Sequence, residues 1–195
     1  YRHAYPGNFS PSAAPDAAAM MDWLALQVGD AEIGHRFAEA AEQTIAEVPP
    51  QDLNLAGVSH VRYPVPALIY GHVAENADRA QRLGRELLAR FEADGSLPYR
   101  KRPDGPDYGR THFAREANGL TAESVSRLLQ AASFCGDREL IDQGVRLLRA
   151  LDKYGDTVPR GAQTWEVPLH TPDILAAAQL VRAYTLGYEL KGDEH

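Results

Sequence analysis

Helix-start signals recur along this chain at nearly equal intervals, and this recurrence constrains the fold more than any other feature. Pro15-Asp16 and Pro172-Asp173 each place a proline and then a carboxylate at a helix start, where proline loses no intrahelical hydrogen bond and the carboxylate suits the positive end of the helix dipole. Pro66 begins a third apolar run, and Thr121 is a candidate N-cap for a fourth. Successive starts lie 51, 55 and 51 residues apart, which predicts a structural repeat of about 52 residues.

Two kinds of helical segment alternate along the chain. Segments directly after the starts are poor in charge; Thr121–Cys135, for example, carries only Glu123 and Arg127. The segments between them have one apolar stripe, as in Asp137–Tyr154, where leucines at helical spacing are set against eight charged residues. The first kind is typical of a helix buried on several sides, and the second of a helix with one solvated face. We therefore predict an all-α fold of tandem antiparallel helical hairpins over residues 15–48, 66–94 and 121–154, with a half hairpin over 172–195.

The second hairpin is irregular, because only eleven residues separate Pro66 from the expected outer helix near Ala77. Two alternatives remain for this region, a short inner helix over Ala67–Ala74 or one longer bent helix over Ala67–Asp94. A Gly-Asp step also recurs after the inner segments; glycine suits the left-handed position at a helix end, and aspartate caps the next helix. These steps are Gly29-Asp30, Gly136-Asp137 and Gly192-Asp193.

Tandem hairpins with buried inner and charged outer helices resemble the (α/α) toroids, which include the six-hairpin glycosidases and the toroidal polysaccharide lyases. The run from Val158 to Asp173, VPRGAQTWEVPLHTPD, is similar to a stretch in large uncharacterised bacterial proteins of that type. A closed ring of six hairpins would need about 310 residues at this period. The resemblance therefore implies that residues 1–195 form a single helical-repeat domain, an arc of a larger toroid whose inner helices show apolar flanks. A compact all-α bundle is the alternative.

Composition excludes several classes of function. Lys and Arg total 20 against 27 Asp and Glu, a net charge of -7, which argues against nucleic acid as a partner because phosphate binding needs a basic surface. Nucleotide-binding glycine motifs and metal-ligand spacings are missing from the sequence, so we expect no cofactor and no metal. We expect no membrane partner either. The chain begins at Tyr1 without a charged and apolar leader; its location stays open, and a secreted or periplasmic one fits if a leader was removed.

Long loops that lead into the inner helices are the expected place for chemistry, because loops held on a rigid scaffold carry most functional residues. These loops are Pro49–Val65, Ser96–Gly119 and Gly155–Thr171. The candidate catalytic residues on them are Glu166, His170, Tyr108 and His112. The candidate substrate-binding residues are Trp165, Arg100, Arg110, Arg160, Asp104, Asp107, Arg62 and Tyr63.

These residue types fit two carbohydrate reactions. Hydrolysis of a glycosidic bond needs two carboxyl groups on opposite sides of the bond, and Glu166 has Asp104, Asp107 or Asp156 as conceivable partners. Elimination instead needs a His or Tyr base, with an arginine that neutralises a uronate. Purely structural roles are the alternative, in which the charged residues of the loops pair with one another and Trp165 fills the rim.

Two functions follow from this pattern. The first is a carbohydrate-active module, a glycoside hydrolase or a lyase, that acts on or binds an acidic polysaccharide or oligosaccharide. The second is a non-catalytic helical-repeat scaffold or interaction domain, which predicts exposed aromatic residues on the inner helices and no acid–base pair with perturbed pKa values. The expected partners are a carbohydrate ligand and either the remaining hairpins of a larger ring or a self-association partner.

Overall fold

The computed structural model describes residues 14–53, 65–101, 103–105, 107, 115–163 and 170–192. Seven α-helices and no strand occur in these residues, so the predicted all-α class is confirmed. The helices are α1 (Pro15–Gln27), α2 (Ala31–Ala46), α3 (Val65–Tyr70), α4 (Val73–Leu88), α5 (Asn118–Cys135), α6 (Arg138–Arg149) and α7 (Ile174–Lys191), with 3₁₀ turns at Pro50–Asp52 and Ala150–Tyr154. No helix within the described ranges is long and apolar enough to cross a membrane.

The chain divides into two compact units, Tyr1–Arg79 and Ala80–His195, with α4 running across the boundary. In the first unit α1 packs on α2, and α3 packs on α1. The Gly29-Asp30 step between α1 and α2 is confirmed in its second half: the Asp30 carboxylate accepts hydrogen bonds from the N–H groups of Glu32 and Ile33, at 2.9 and 3.0 Å. The prediction of a left-handed glycine is wrong here, because Gly29 does not have a positive φ and α1 ends at an extended Val28. The predicted arrangement as one repeat domain in a toroid stays a prediction.

Helix α5 is the centre of the second unit, where it packs on both α6 and α7. Its apolar side chains make most of one continuous core with those of α6, and Ala183 of α7 joins them. Close packing depends on Gly144 of α6, because a Cβ atom there would lie 2.6 Å from Cδ2 of Leu129. The buried members of this core are Ala122, Val125, Leu128, Leu129, Ala132, Leu140, Val145, Leu147, Leu148, Leu151 and Ala183.

Two helices begin at residues other than those predicted. Helix α5 begins at Asn118, three residues before Thr121, whose hydroxyl instead donates to the Ala117 carbonyl at 2.9 Å within the first turn. Helix α7 begins at Ile174, with Asp173 as its N-cap. Pro172 lies outside that helix, because it forms an isolated β-bridge with Arg160.

The irregular region after Pro66 contains a short helix, which was the first of the two alternatives. Helix α3 ends at Tyr70, and α4 begins at Val73. The two residues between them, Gly71 and His72, both have positive φ, at 89° and 61°. A left-handed pair cannot continue an α-helix of L-residues, so one long bent helix is ruled out here.

The expectation that all inner helices are buried on several sides holds for α5 but is wrong for α1 and α7. Ten residues of α5 are buried, whereas in α1 the only buried residues are Pro15 and Ala18. Helix α1 exposes Met20, Trp23 and Leu26, and α7 exposes Ile174, Val181, Tyr184 and Tyr188. Helix α5 is covered by α6 and α7 together, whereas α1 and α7 have large apolar side chains in solvent.

Candidate functional site

The loop Gly155–Thr171 is fixed to the start of α5 by one buried side chain, that of Asn118. The Asn118 amide oxygen accepts hydrogen bonds from the N–H groups of Gly119 and Arg160, at 2.8 and 2.9 Å. The amide nitrogen donates to the Thr157 hydroxyl at 3.1 Å and to the Val158 carbonyl at 3.2 Å. This buried amide, which is only 2% exposed, therefore holds the first half of the loop against α5.

Arg160 lies where this loop meets α5, and both its backbone N–H and its backbone carbonyl form hydrogen bonds there. Its carbonyl accepts the Gly119 N–H at 2.9 Å, and a Cβ atom on Gly119 would lie 2.6 Å from that oxygen. The position thus requires glycine, since only a bare Cα permits such a close approach. The Arg160 side chain is half-buried.

Asp173 lies at the other end of the same loop, and its side chain explains why α7 begins there. One carboxylate oxygen accepts the Ala176 N–H at 2.6 Å as the N-cap of α7, and the other accepts the Ala162 N–H at 3.1 Å. His170, a predicted catalytic residue, is half-buried three residues earlier and interacts with its surroundings. The residues at this end of the loop therefore have structural partners already.

The loop Ser96–Gly119 has a polar cluster at its base. The Tyr99 N–H donates to the Arg115 carbonyl at 2.8 Å, which brings the two ends of the loop together. The Lys153 ammonium then lies 3.2 Å from Glu116 and 3.8 Å from Asp94. Its ammonium also lies 5.0 Å from the centre of the Tyr154 ring, in the range of a cation–π contact.

The electrostatics of this cluster do not favour Tyr154 as a base. Burial raises the pKa of the Tyr154 hydroxyl above its usual 10, and the nearby Glu116 and Asp94 carboxylates raise it further. Hydrogen bonds from Ser96 lower the pKa of Asp94. At neutral pH the carboxylate of Asp94 is therefore ionised and the phenol of Tyr154 is protonated, so the Tyr154 hydroxyl is not poised to act as a base.

The other predicted residues of this loop that the structure describes are solvent-facing. Arg100 and Asp104 are exposed, and Asp107 is half-buried and has its own interactions. The contacts described for them do not join Arg100 or Asp104 to Arg160 or His170. The remaining candidates lie outside the described residues, so their predicted roles stay predictions: Glu166, Tyr108, His112, Trp165, Arg110, Arg62 and Tyr63.

A groove lies on α6, beside the last turn of α7. It has a volume of about 400 Å³ and is lined by Asp142, Val145, Arg146, Arg149 and Lys191. This volume is within the range of small-ligand sites. Val145 is 8% exposed and supplies the apolar part of the lining, and the other four residues are charged.

The groove is locally basic in a chain of net charge -7, with three cations to one carboxylate. Lys191 contacts the Asp142 carboxylate at 2.6 Å. The Arg146 guanidinium donates to the Gln143 amide oxygen at 3.0 Å and to the Ala93 carbonyl at 3.5 Å. Arg146, Arg149 and Lys191 are all exposed, so an anionic ligand can reach them. Arginine forks of this kind bind carboxylates with two parallel hydrogen bonds.

One feature of the sequence indicates this groove: the cations Arg146 and Arg149 have i, i+3 spacing on one helix. That spacing places both on one face of α6, but it is also typical of an ordinary solvated face. Lys191, which completes the groove, is more than forty positions away in sequence. Among the residues that the structure describes, no group of three His, Cys, Asp or Glu side chains could hold a metal ion.

Comparisons with protein-family models, with curated proteins and with solved structures give no match to this chain.

Proposed function

We propose that this chain is a helical-repeat module of the (α/α) toroid type that binds an acidic polysaccharide or oligosaccharide. The single observation that supports this most is the groove of Arg146, Arg149 and Lys191 on an otherwise acidic protein. Guanidinium groups match the carboxylate of a uronate, Asp142 can accept hydrogen bonds from sugar hydroxyls, and Val145 offers an apolar contact for a ring face. A neutral glycan would offer no negative charge to this basic groove.

Binding to polygalacturonate, with neutral dextran as the comparison, tests this proposal. We expect retardation in affinity gel electrophoresis with polygalacturonate only, and weaker retardation as the salt concentration rises, because contacts between exposed charges are screened. A double variant, Arg146→Ala with Arg149→Ala, should lose at least tenfold in affinity. Arg82→Ala, which removes an exposed arginine of α4, is the matched control and should bind normally.

Equal retardation by dextran, or an unchanged affinity in the double variant, would contradict the proposal.

The same polysaccharides also test whether the protein cleaves the glycan that it binds. Release of reducing ends indicates hydrolysis, and absorbance from unsaturated uronates indicates elimination. For either reaction Glu166, His170, Tyr108 and His112 are the proposed catalytic residues, and Glu166→Gln should abolish hydrolysis without changing binding at the groove.

A second candidate function, a non-catalytic interaction scaffold, is favoured by a specific observation. The inner helices α1 and α7 have exposed aromatic side chains, with Trp23 58% and Tyr188 54% exposed. Exposed aromatic residues on a rigid surface are typical of interfaces. Polysaccharide binding that survives in groove variants but fails when Trp23 and Tyr188 are replaced by alanine would favour this function.

A further inference from the structure

The groove on α6 has a cationic end and an end with no net charge. Its lining residues Asp142, Val145, Arg146 and Arg149 stand at positions i, i+3, i+4 and i+7, so they form one line along the helix. Seven residues of α-helix span about 10 Å, which separates the position of Asp142 from that of Arg149. Lys191 of α7 joins this line at the Asp142 end, where the two side chains are in contact. The two arginines therefore lie towards one end of the groove, and an ion pair lies at the other.

The ion pair of Asp142 and Lys191 suits a neutral polar group better than an anion. Its two side chains are 2.6 Å apart and stay 65% and 40% exposed, so a ligand can reach both. An anion placed beside the pair is attracted by the ammonium and repelled by the carboxylate, which leaves little net attraction. A sugar hydroxyl, in contrast, can donate a hydrogen bond to Asp142 or accept one from Lys191.

Arg146 keeps its positive charge available to a ligand. Its described hydrogen bonds go to two neutral oxygens, those of the Gln143 amide at 3.0 Å and the Ala93 carbonyl at 3.5 Å. Asp142 lies four residues before Arg146, at a spacing where Asp and Arg commonly pair on a helix, but its carboxylate contacts Lys191 instead. Arg149 adds a second exposed cation one turn further along α6. An anionic group is therefore bound best at the arginine end.

We propose that Asp142 is a specificity-determining residue, which restricts the groove to a glycan in which an acidic sugar is followed by a neutral one. The carboxylate of the acidic sugar binds at Arg146 and Arg149, and hydroxyl groups of its neutral neighbour bind at Asp142 and Lys191. A second acidic sugar in direct succession would place its anion beside the Asp142 carboxylate, and such like-charge contacts lower affinity. This inference rests on the proposed binding of an acidic glycan, and it names the class as one with alternating acidic and neutral sugars.

Calorimetric titration with three tetrasaccharides of increasing charge density tests this inference. Hyaluronan has one carboxylate for every two sugars, oligogalacturonate has one on every sugar, and heparin adds sulfates to its carboxylates. A surface that is only basic binds the ligand of highest charge density most tightly, because each further anion adds attraction. We expect the opposite order, with hyaluronan bound about fivefold more tightly than oligogalacturonate and heparin bound most weakly.

Replacing Asp142 isolates its charge from its shape. Asp142→Asn keeps the size of the side chain and an oxygen that accepts hydrogen bonds, but it removes the negative charge. The affinity for oligogalacturonate and heparin should rise about fivefold, and that for hyaluronan should change by less than about twofold. Glu189→Gln, which removes an exposed carboxylate of α7 outside the groove lining, is the matched control and should keep the order of the parent.

Three outcomes would overturn the role of Asp142: affinity that rises with charge density in the parent, an order that Asp142→Asn leaves unchanged, or an equal effect of Glu189→Gln. In these cases the proposed binding of acidic glycans still stands, provided that the variant Arg146→Ala with Arg149→Ala loses it. Binding of none of the three tetrasaccharides, or binding that the arginine variant retains, would overturn the proposed function and this inference together.

Discussion

Asn118 shows how a single side chain can fix a loop to a helix. Its amide forms four hydrogen bonds, one with Gly119 at the start of α5 and three with Thr157, Val158 and Arg160 in the loop that follows α6. Because the amide is buried, removing it would take away the partner of the buried Gly119 N–H and of the partly buried Arg160 N–H and Val158 carbonyl. Each buried group left in this state costs about 1 to 3 kcal/mol.

We therefore predict that Asn118→Ala lowers the free energy of unfolding by about 2 to 4 kcal/mol, from the loss of several buried hydrogen bonds. Urea unfolding followed by circular dichroism measures this. Thr157→Val removes the acceptor for Asn118 and the donor to the Tyr154 carbonyl at an exposed position, and it should cost less than about 1 kcal/mol because water can replace both partners. Similar values for the two variants would mean that the loop is held by contacts other than those of Asn118.

At the scale of helices, the Asp137 side chain connects α6 to α4. It caps α6 by accepting the Leu140 N–H at 3.1 Å. The same carboxylate accepts hydrogen bonds from Gln81 at 2.8 Å and Arg85 at 3.3 Å, both on α4. The bond from the Leu140 backbone, then those from Gln81 and Arg85, lower the pKa of Asp137 below its usual range. The ionised form is thus the one that the fold stabilises.

The sign of the pH dependence follows from this lowered pKa. In the unfolded chain Asp137 ionises near pH 4, so its contribution to stability is complete above that pH and is lost as the pH falls through the lower folded value. We predict that the parent is more stable than Asp137→Asn at pH 7 and that the difference shrinks towards pH 3. Thermal unfolding across this range measures it, with the exposed Asp78→Asn of α4 as control. A difference that stays constant with pH would exclude this linkage.

Helix boundaries that depend on local geometry could be predicted from the sequence. Gly136 and Gly192 end α5 and α7 where the Gly-Asp steps indicated, because a left-handed glycine ends a helix through local geometry alone. The start of α5 depends instead on Asn118, whose partners lie about forty residues downstream. The groove on α6 was missed for the same reason, since it needs Lys191 from a distant segment. The exposed apolar side chains of α1 and α7 were expected only from the resemblance to a partial ring and from the scaffold alternative, because the charge-poor pattern of these segments by itself predicts burial.

At the scale of the whole molecule, the two compact units differ in how their interiors are built. The buried apolar residues of the first unit that the structure describes are mostly alanines, such as Ala18, Ala41 and Ala67. The second unit has a core of leucines and valines. Burying a leucine contributes about 1.5 to 3 kcal/mol, and an alanine much less, so the two units should differ in resistance to opening.

We predict that backbone amides of α5 and α6 exchange with deuterium at least tenfold more slowly than those of α1 and α2, since a difference of 1.4 kcal/mol in opening is already tenfold. Hydrogen–deuterium exchange with mass spectrometry measures this directly. Leu129→Ala should remove the protection of α5 and α6 without changing that of α1. Equal protection in both units of the parent would contradict the prediction.

The exposed indole of Trp23 has a practical consequence for spectroscopy. The sequence contains two tryptophans, Trp23 and Trp165, so Trp165→Phe leaves one fluorophore on the surface of α1. Its emission should be red-shifted, as for indole in water, and open to quenching by iodide or acrylamide. Any ligand that covers α1 would shift this emission to the blue, which gives a label-free optical signal for the discovery of binding partners.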